Sequence, residues 1–382
     1  MFVWCESFHG ISTDPSSGIL ATHDDLTSVY GINNVQRAGI SQELKVNTDF
    51  DNGQPAIFCG GFDSEVFIRM GPGIAGGHRF TSQSDWYVHF AFDITDDLFT
   101  NSIMVIFEDT TVFPLSMRQC QLKMLNYGPA GKSLALYNSD SNTKLAETTS
   151  RYKQAGVYYA QLHVNIGASG SSRLIVSGLE EWNVSGINTK STTNATADSI
   201  TFGSFHDGGG SGSQITSFGN IVIADGRADG LTPSFNQLLG EFVVQKIQPN
   251  GNGDANDFNP VGTGVTQNWQ AVDDYMMADQ DGTYNETSTS GNKDIMNYED
   301  PNFILSGIIY GLTIRTNARK TDAGSRSLQH IFKPTTTEFP YSSHVLLSTY
   351  TKFSDVEDIN PDTGVRYTDA ELDVHQFGYE LS

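Results

Sequence analysis

Residues 249–260, "PNGNGDANDFNP", put oxygen-bearing side chains at Asn250, Asn252, Asp254 and Asn256, one at every second position. Oxygens so spaced can converge on a cation, and a calcium loop of the EF-hand type closes its ligand set with a Glu at the twelfth position. Counted from Asn250 the twelfth residue is Val261, most donors are neutral Asn, and no helical pattern flanks the segment. Gly, Asn and Pro are also what a flexible junction needs. Two readings stay open: a linker between two domains, or a weak surface calcium site near residues 250–261. A second candidate, "GPGIAGG" at residues 71–77, has the G-x-G-x-x-G spacing after a plausible strand, "SEVFIRM". A dinucleotide site needs a helix to follow, and "HRFTSQSDWYVHF" continues as turn and strand, so the segment reads as a loop.

Glycan cleavage by paired carboxylates requires two acids about 5–5.5 Å apart across one glycosidic oxygen in retaining enzymes. No Glu-x-Asp-x-Glu is present. Asp355 and Glu357 alternate, as do Glu371 and Asp373, and both pairs read as a solvated acidic face. "DQDGTY" at residues 279–284 resembles part of a sialidase-type Asp box without its full spacing and reads as a turn. The nine histidines show no H-x-x-x-H and Ser211 lacks G-x-S-x-G, so neither metal nor triad is supported. The expectation is no catalytic residue, no metal, no cofactor and no enzyme activity. Trp86, Phe90, Phe92 and Phe107 read as core, whereas Tyr127, Tyr152, Trp182 and Tyr275, in or beside loops, are candidate ligand contacts.

The elements that must carry these residues are strands. In "WYVHFAFDI" Trp86, Val88, Phe90, Phe92 and Ile94 share one face and Tyr87, His89, Ala91 and Asp93 the other, as in a half-buried strand. Runs of the same kind cover residues 102–109, 119–125, 133–139, 157–166, 172–178, 199–205 and 219–226, separated by Gly-, Asn- and Asp-rich turns. With no helix longer than two turns, an antiparallel sandwich is the economical arrangement. Strand patterns resume at 302–320, 327–333 and 342–353. Thr368 stands three residues before Glu371, the spacing of a capping box that starts a short helix ahead of a last strand through Phe377 and Tyr379. "NPDTG" is a turn, with Pro361 fixing φ and Gly364 free to adopt positive φ.

The 382 residues suffice for two domains, and 38 Gly against 22 Lys plus Arg suit strands and turns. A formal net charge of −22 argues against nucleic acid and anionic membranes as partners. Residues 249–382 carry 20 acidic and 8 basic side chains. Cys5, Cys59 and Cys120 form no C-x-x-C pair and read as small buried hydrophobes. The N-terminus has no signal-peptide pattern, and no apolar run reaches the ~18–20 residues of a membrane span.

From Asn268 onwards, "NWQAVDD", "ARKTDAGSRSL" and "NPDTGVRYTDAEL" resemble the C-terminal module of a family of tailed-bacteriophage virion proteins, in which a concanavalin A-like (laminin G-like) jelly roll comes first. "GNIVIADGRADG" and "LLGEFVVQKIQPNGNGDANDF" resemble the end of that jelly roll and the junction after it. Tyr367 stands where that family has Trp. The resemblance implies an all-β chain: a jelly-roll domain over 1–247, a linker over 248–266 and a smaller β-sandwich with one short helix over 267–382. It implies a non-enzymatic virion structural protein, a tail or head fibre or decoration, assembled in the host cytoplasm. Its partners would be capsid or tail proteins and further copies of itself, for instance as a trimer, with a host-surface glycan as a ligand. An architectural cement protein and a polysaccharide-degrading tail enzyme are the alternatives. Arg319, Lys320 and Arg326 of the "ARKTDAGSRS" segment are expected to pair with nearby carboxylates.

Overall fold

A computed structural model describes residues 2–6, 34–38, 41–50, 54–62, 65–70, 80–94, 102–109, 117–153, 156–206, 216–227, 237–240, 244, 246–273, 281–300 and 309–382. Before residue 80, and at 117, 204–206, 216, 217, 352 and 354, the description is of backbone alone. The chain forms two compact units, one of Met1–Gly230 and Ser234–Val244, the other of Leu231–Pro233 and Gln245–Ser382.

The first unit is built from β1 (Phe2–Glu6), β2 (Asn34–Ala38), β3 (Ser41–Phe50), β4 (Gln54–Phe62), β5 (Glu65–Met70), β6 (Asp85–Ile94), β7 (Ser102–Asp109), β8 (Met117–Asn126), β9 (Lys132–Asn138), β10 (Lys144–Glu147), β11 (Val157–Asn165), β12 (Gly170–Val176), β13 (Leu179–Ile187), β14 (Ser199–His206) and β15 (Thr216–Asp225). One sheet runs β13-β12-β11-β6-β15-β4-β3 with β1 beside β15; the other runs β10-β9-β8-β7-β14-β5-β2. All pairings are antiparallel. Trp86, Val88, Phe90 and Phe92 of the first sheet and Met104, Phe107, Leu122, Leu134 and Phe202 of the second form one buried cluster. Phe90 meets Phe202 edge-on across the layers, ring centroids 5.5 Å apart. Burying such side chains contributes roughly 1.5–3 kcal/mol each. The all-β sandwich expected from alternation is the fold.

The alternation misjudges one thing in β6. His89 and Ala91 were placed on a solvated face, yet both are fully buried. Tyr159 and Val157 pack on Ala91, and the backbone amide of Gly240 donates to Gln161 Oε1 at 2.7 Å, next to His89 in register. Chain therefore lies over this part of the outer face as well.

The second unit contains β16 (Pro249–Asn256), β17 (Asn259–Gly262), β18 (Thr283–Glu286), β19 (Lys293–Tyr298), β20 (Leu312–Ala318), β21 (Ser327–Lys333), β22 (Phe339–Pro340), β23 (His344–Val345), β24 (Thr351–Glu357), α1 (Asp369–Leu372) and β25 (Gln376–Leu381). A sheet of order β16-β19-β25-β21-β22, with β23 also on β21, is accompanied by two-stranded ribbons β17-β18 and β20-β24. The linker over 248–266 is corrected: residues 249–256 are an edge strand on β19, and residues 259–262 pair with β18. Its polar composition hid it, because an edge strand needs few apolar side chains and tolerates Pro at its first residue. Two register shifts, between Pro249 and Gly251 and between Asn252 and Ala255, bulge it. The run expected over 342–353 is two separate elements, β23 and the start of β24.

The capping box is present: the Thr368 hydroxyl accepts from the Glu371 amide, and the Glu371 carboxylate accepts from Thr368 N–H at 2.7 Å. Gly364 has φ +72° in the "NPDTG" turn, with its amide donating to Asn360 O at 2.7 Å. Tyr367 is buried against Phe332, and Cys120 is buried. Residues 71–77, Ser211 and Tyr275, with 302–308 of the strand pattern, lie outside the described residues; Cys5 and Cys59 lie in β1 and β4, described as backbone. No described helix is long and apolar enough to cross a membrane.

Candidate functional site

Strand register assembles a row across the outer face of the first unit's larger sheet. Ala224 lies opposite Tyr87, Tyr87 opposite His163, His163 opposite Arg173 and Arg173 opposite Asn183. Directly opposed residues share a face, so three chemically capable side chains stand side by side. One step along, Asp85 pairs with Asn165. The Asp85 carboxylate lies 2.6 Å from His163 Nε2 and accepts from Asn165 Nδ2 at 3.3 Å. Tyr87 stacks on the imidazole at 4.4 Å.

The local backbone fixes Asp85. Its carbonyl accepts from the Gly226 amide at 2.8 Å, and a Cβ at position 226 would lie 2.1 Å from the Asp85 carboxylate. Only glycine lets the strand ends approach this closely. In the neutral imidazole an accepting Asp85 carboxylate selects the tautomer with the proton on Nε2 and the lone pair on Nδ1. Burial, with the charge of Asp85 adding to it, pushes the Tyr87 phenol up to about 12, so it stays protonated at neutral pH. His163 and Asp85 keep 19% and 31% of their side chains exposed, which leaves this end of the face reachable. The next pair, His89 and Gln161, is closed off, and burial pushes His89 down to about 3, leaving it neutral. Arg173 meets Glu180 at 2.5 Å, both well exposed, a pairing that solvent weakens. The arrangement offers a base, a proton donor and a cation in one line.

The aromatic candidates separate. Tyr152 is buried, donating to Glu181 at 2.9 Å, and Trp182 is buried, donating to Ser172 Oγ at 3.0 Å; both serve the core. Tyr127 is exposed, with Arg151 over its ring at 4.4 Å and its hydroxyl donating to Glu147 at 2.7 Å. Burial raises the Glu147 carboxyl, but hydrogen bonds from Lys144, Tyr127 and Ser133 outweigh it and hold it near 2.

In the second unit the alternating acids Asp355 and Glu357 are not a solvated face. Asp355 lies 2.6 Å from His330 Nδ1 and 2.9 Å from His344 Nε2 through one oxygen, and Glu357 accepts from Tyr341 at 3.1 Å. Burial raises the Asp355 carboxyl, and the two imidazoles more than reverse it, holding it below the usual range. Glu371 serves the helix cap, whereas Asp373 is exposed. Among the described residues His330, His344 and Asp355 are the one group able to hold a metal ion, where sequence spacing indicated none. The oxygens of residues 250–261 do not converge: Asp254 pairs with Lys333 and Asn252 accepts from the Trp269 amide. Asp281, from the box-like turn, accepts from Arg319 at 2.7 Å and Tyr350 at 2.8 Å. Arg326 meets Asp322 at 3.1 Å, while Lys320 donates to the Gly324 carbonyl instead of to a carboxylate.

No family model matches the sequence, and no curated protein matches it. Solved structures do. An endo-β-1,4-glucuronan lyase from the fungus Trichoderma reesei aligns at 10% identity and TM-score 0.39, over 59% of this chain and 97% of the lyase. Alginate lyase Aly36B aligns at 8% identity and TM-score 0.42, over 58% and 96%. A Trypanosoma rangeli sialidase mutant aligns at 13% identity and TM-score 0.32, over 50% and 29%. At these identities no residue role or substrate carries across, and none of the three is a phage protein. The expectation of a chain without enzyme activity is nonetheless corrected: the similar structures include two polysaccharide lyases and a sialidase, and the row from Tyr87 to Arg173 holds groups that sequence spacing did not bring together.

Proposed function

We propose that the chain is a surface component of a phage particle whose sandwich unit cleaves an acidic polysaccharide by elimination. The virion placement is supported by the resemblance of the segments after Asn268; the chemistry is supported by one observation, the 2.6 Å contact of Asp85 with His163 beneath a stacked Tyr87. Hydrolysis by two free carboxylates fits less well, because Asp85 and Glu180 are taken by His163 and Arg173. In the elimination, His163 Nδ1 removes the proton on the carbon next to the sugar carboxylate. The bond to the leaving glycosidic oxygen breaks, a carbon–carbon double bond forms, and the Tyr87 phenol protonates the departing oxygen. Arg173 exchanges Glu180 for the sugar carboxylate, whose charge it neutralises as it develops.

Incubation with alginate, glucuronan and host capsule, read as ultraviolet absorbance of the unsaturated end and as chain shortening, tests this. His163→Ala is expected to slow the reaction ~10²–10⁴-fold. The net charge of −22 opposes a polyanion, so added salt speeds encounter. Absence of unsaturated product from every substrate, or a variant as active as the parent, refutes the chemistry; absence of this chain from purified particles refutes the placement.

A further inference from the structure

His330 comes from β21, His344 from β23 and Asp355 from β24, spread over 25 residues of sequence. Their ligand atoms, His330 Nδ1, His344 Nε2 and an Asp355 oxygen, all lie within 4.8 Å of one another. Two imidazole nitrogens lie 2.6 and 2.9 Å from one carboxylate oxygen, close enough for the three donor atoms to share one ion in place of hydrogen bonds. The other nitrogen of His330, Nε2, is 2.8 Å from Thr316 Oγ1 on β20, an outer-sphere contact that holds the ring plane and can accept from Nε2–H when Nδ1 is a ligand. His344 is held by stacking on Phe353 at 5.0 Å. His330 is fully buried, while His344 and Asp355 keep 22% and 15% of their side chains exposed. The cluster is therefore rigid on one side and open to solvent on the other, which gives an ion an entry path and room for a water as fourth ligand.

We propose that His330, His344 and Asp355 bind one divalent transition-metal ion of the zinc class, clamping the β20-β24 ribbon to the larger sheet. Two borderline imidazoles beside a single carboxylate suit zinc and cobalt and suit calcium, which takes roughly six to eight oxygens, poorly. The ion takes the place of the hydrogen bonds to Asp355, so it ties together the same three strands.

The test uses the full chain stripped with a chelator and titrated with Zn²⁺ by calorimetry, and with Co²⁺ by visible absorption. One ion per chain is expected, with the intense visible bands of four-coordinate cobalt and a melting temperature that rises with zinc. His344→Ala and Asp355→Asn are expected to weaken binding at least 100-fold, and Thr316→Ala ~10–100-fold as an outer-sphere residue. His344 is the most exposed of the three, so its variant keeps the test valid if substitution at Asp355, which also holds the buried His330, prevents folding. No zinc binding by the parent chain, or binding that His344→Ala leaves unchanged, overturns the proposal.

Discussion

In the sandwich unit the side chains between the two sheets form one apolar cluster, from Trp86 and Phe90 through Leu134 and Phe202. In the C-terminal unit the interior is divided. Phe332, Tyr367 and Phe377 form one cluster and Phe258, Leu328 and Leu381 another. Leu328, His330 and Phe332 alternate along β21, so His330 stands on the shared face between them. On β20 Thr316 stands likewise between Ile314 and Ala318. A polar seam thus lies between the two apolar clusters, whereas the polar atoms of the sandwich core, such as the Tyr152 hydroxyl on Glu181, leave its apolar cluster undivided. The smaller unit buries less apolar surface and relies on hydrogen-bonded polar groups whose cost, if left unpaired, is high. Asp294 and Arg366 follow the same pattern: Asp294 accepts from Asn268 at 2.6 Å, and Arg366 donates to the carbonyls of Tyr310 and Asp358.

This contrast can be broken at three strengths. Phe90→Ala opens a void in the undivided core and is expected to cost ~3–5 kcal/mol. Hydrogen exchange read by mass spectrometry should show it in sandwich peptides alone; an equal loss of protection in peptides after residue 245 would mean the two interiors are not independent. Asp294→Asn sharpens the polar side of the comparison. Burial pushes the Asp294 carboxyl up to about 6, against hydrogen bonds from Asn268, the Phe258 amide and Tyr379. Between roughly pH 4 and 6 the folded chain keeps a proton that the unfolded chain has released, so this group lowers stability as pH rises through that window. The amide should remove that loss, a gain of about 1 kcal/mol at pH 7 after allowing for solvent screening and little change at pH 4; a denaturant series at both pH values decides it. Thr368→Ala, which removes the cap of α1, should cost about 1 kcal/mol, and a change below a few tenths in the same denaturant assay would show that packing of Leu372 alone holds the turn.

Much of the scaffold was legible because burial and backbone period coincide. β12 alternates buried and half-buried residues from Gly170 to Val176, and Thr368 and Glu371 announce α1 without any tertiary information. β13, "LEEWNVSGI", gives no such signal, since Leu179 and Glu180 are exposed and Trp182 is buried beside them. The row at His163 was half legible: alternation put Tyr87 on the polar face of its strand. What no spacing reveals is that residue 87 lies opposite 163 and 163 opposite 173, because register between distant strands is set by the whole sheet. The cluster at His330 was hidden for the same reason, its members being supplied by three strands.

The bulged strand β16 bears on how the sheet resists adding strands from outside. It forms one border of its sheet, where unpaired amides and carbonyls would otherwise invite a neighbouring copy to zip on. Pro249 lacks an amide to donate, and the two register slips twist the border out of line. That border is thereby a poor template for a further strand.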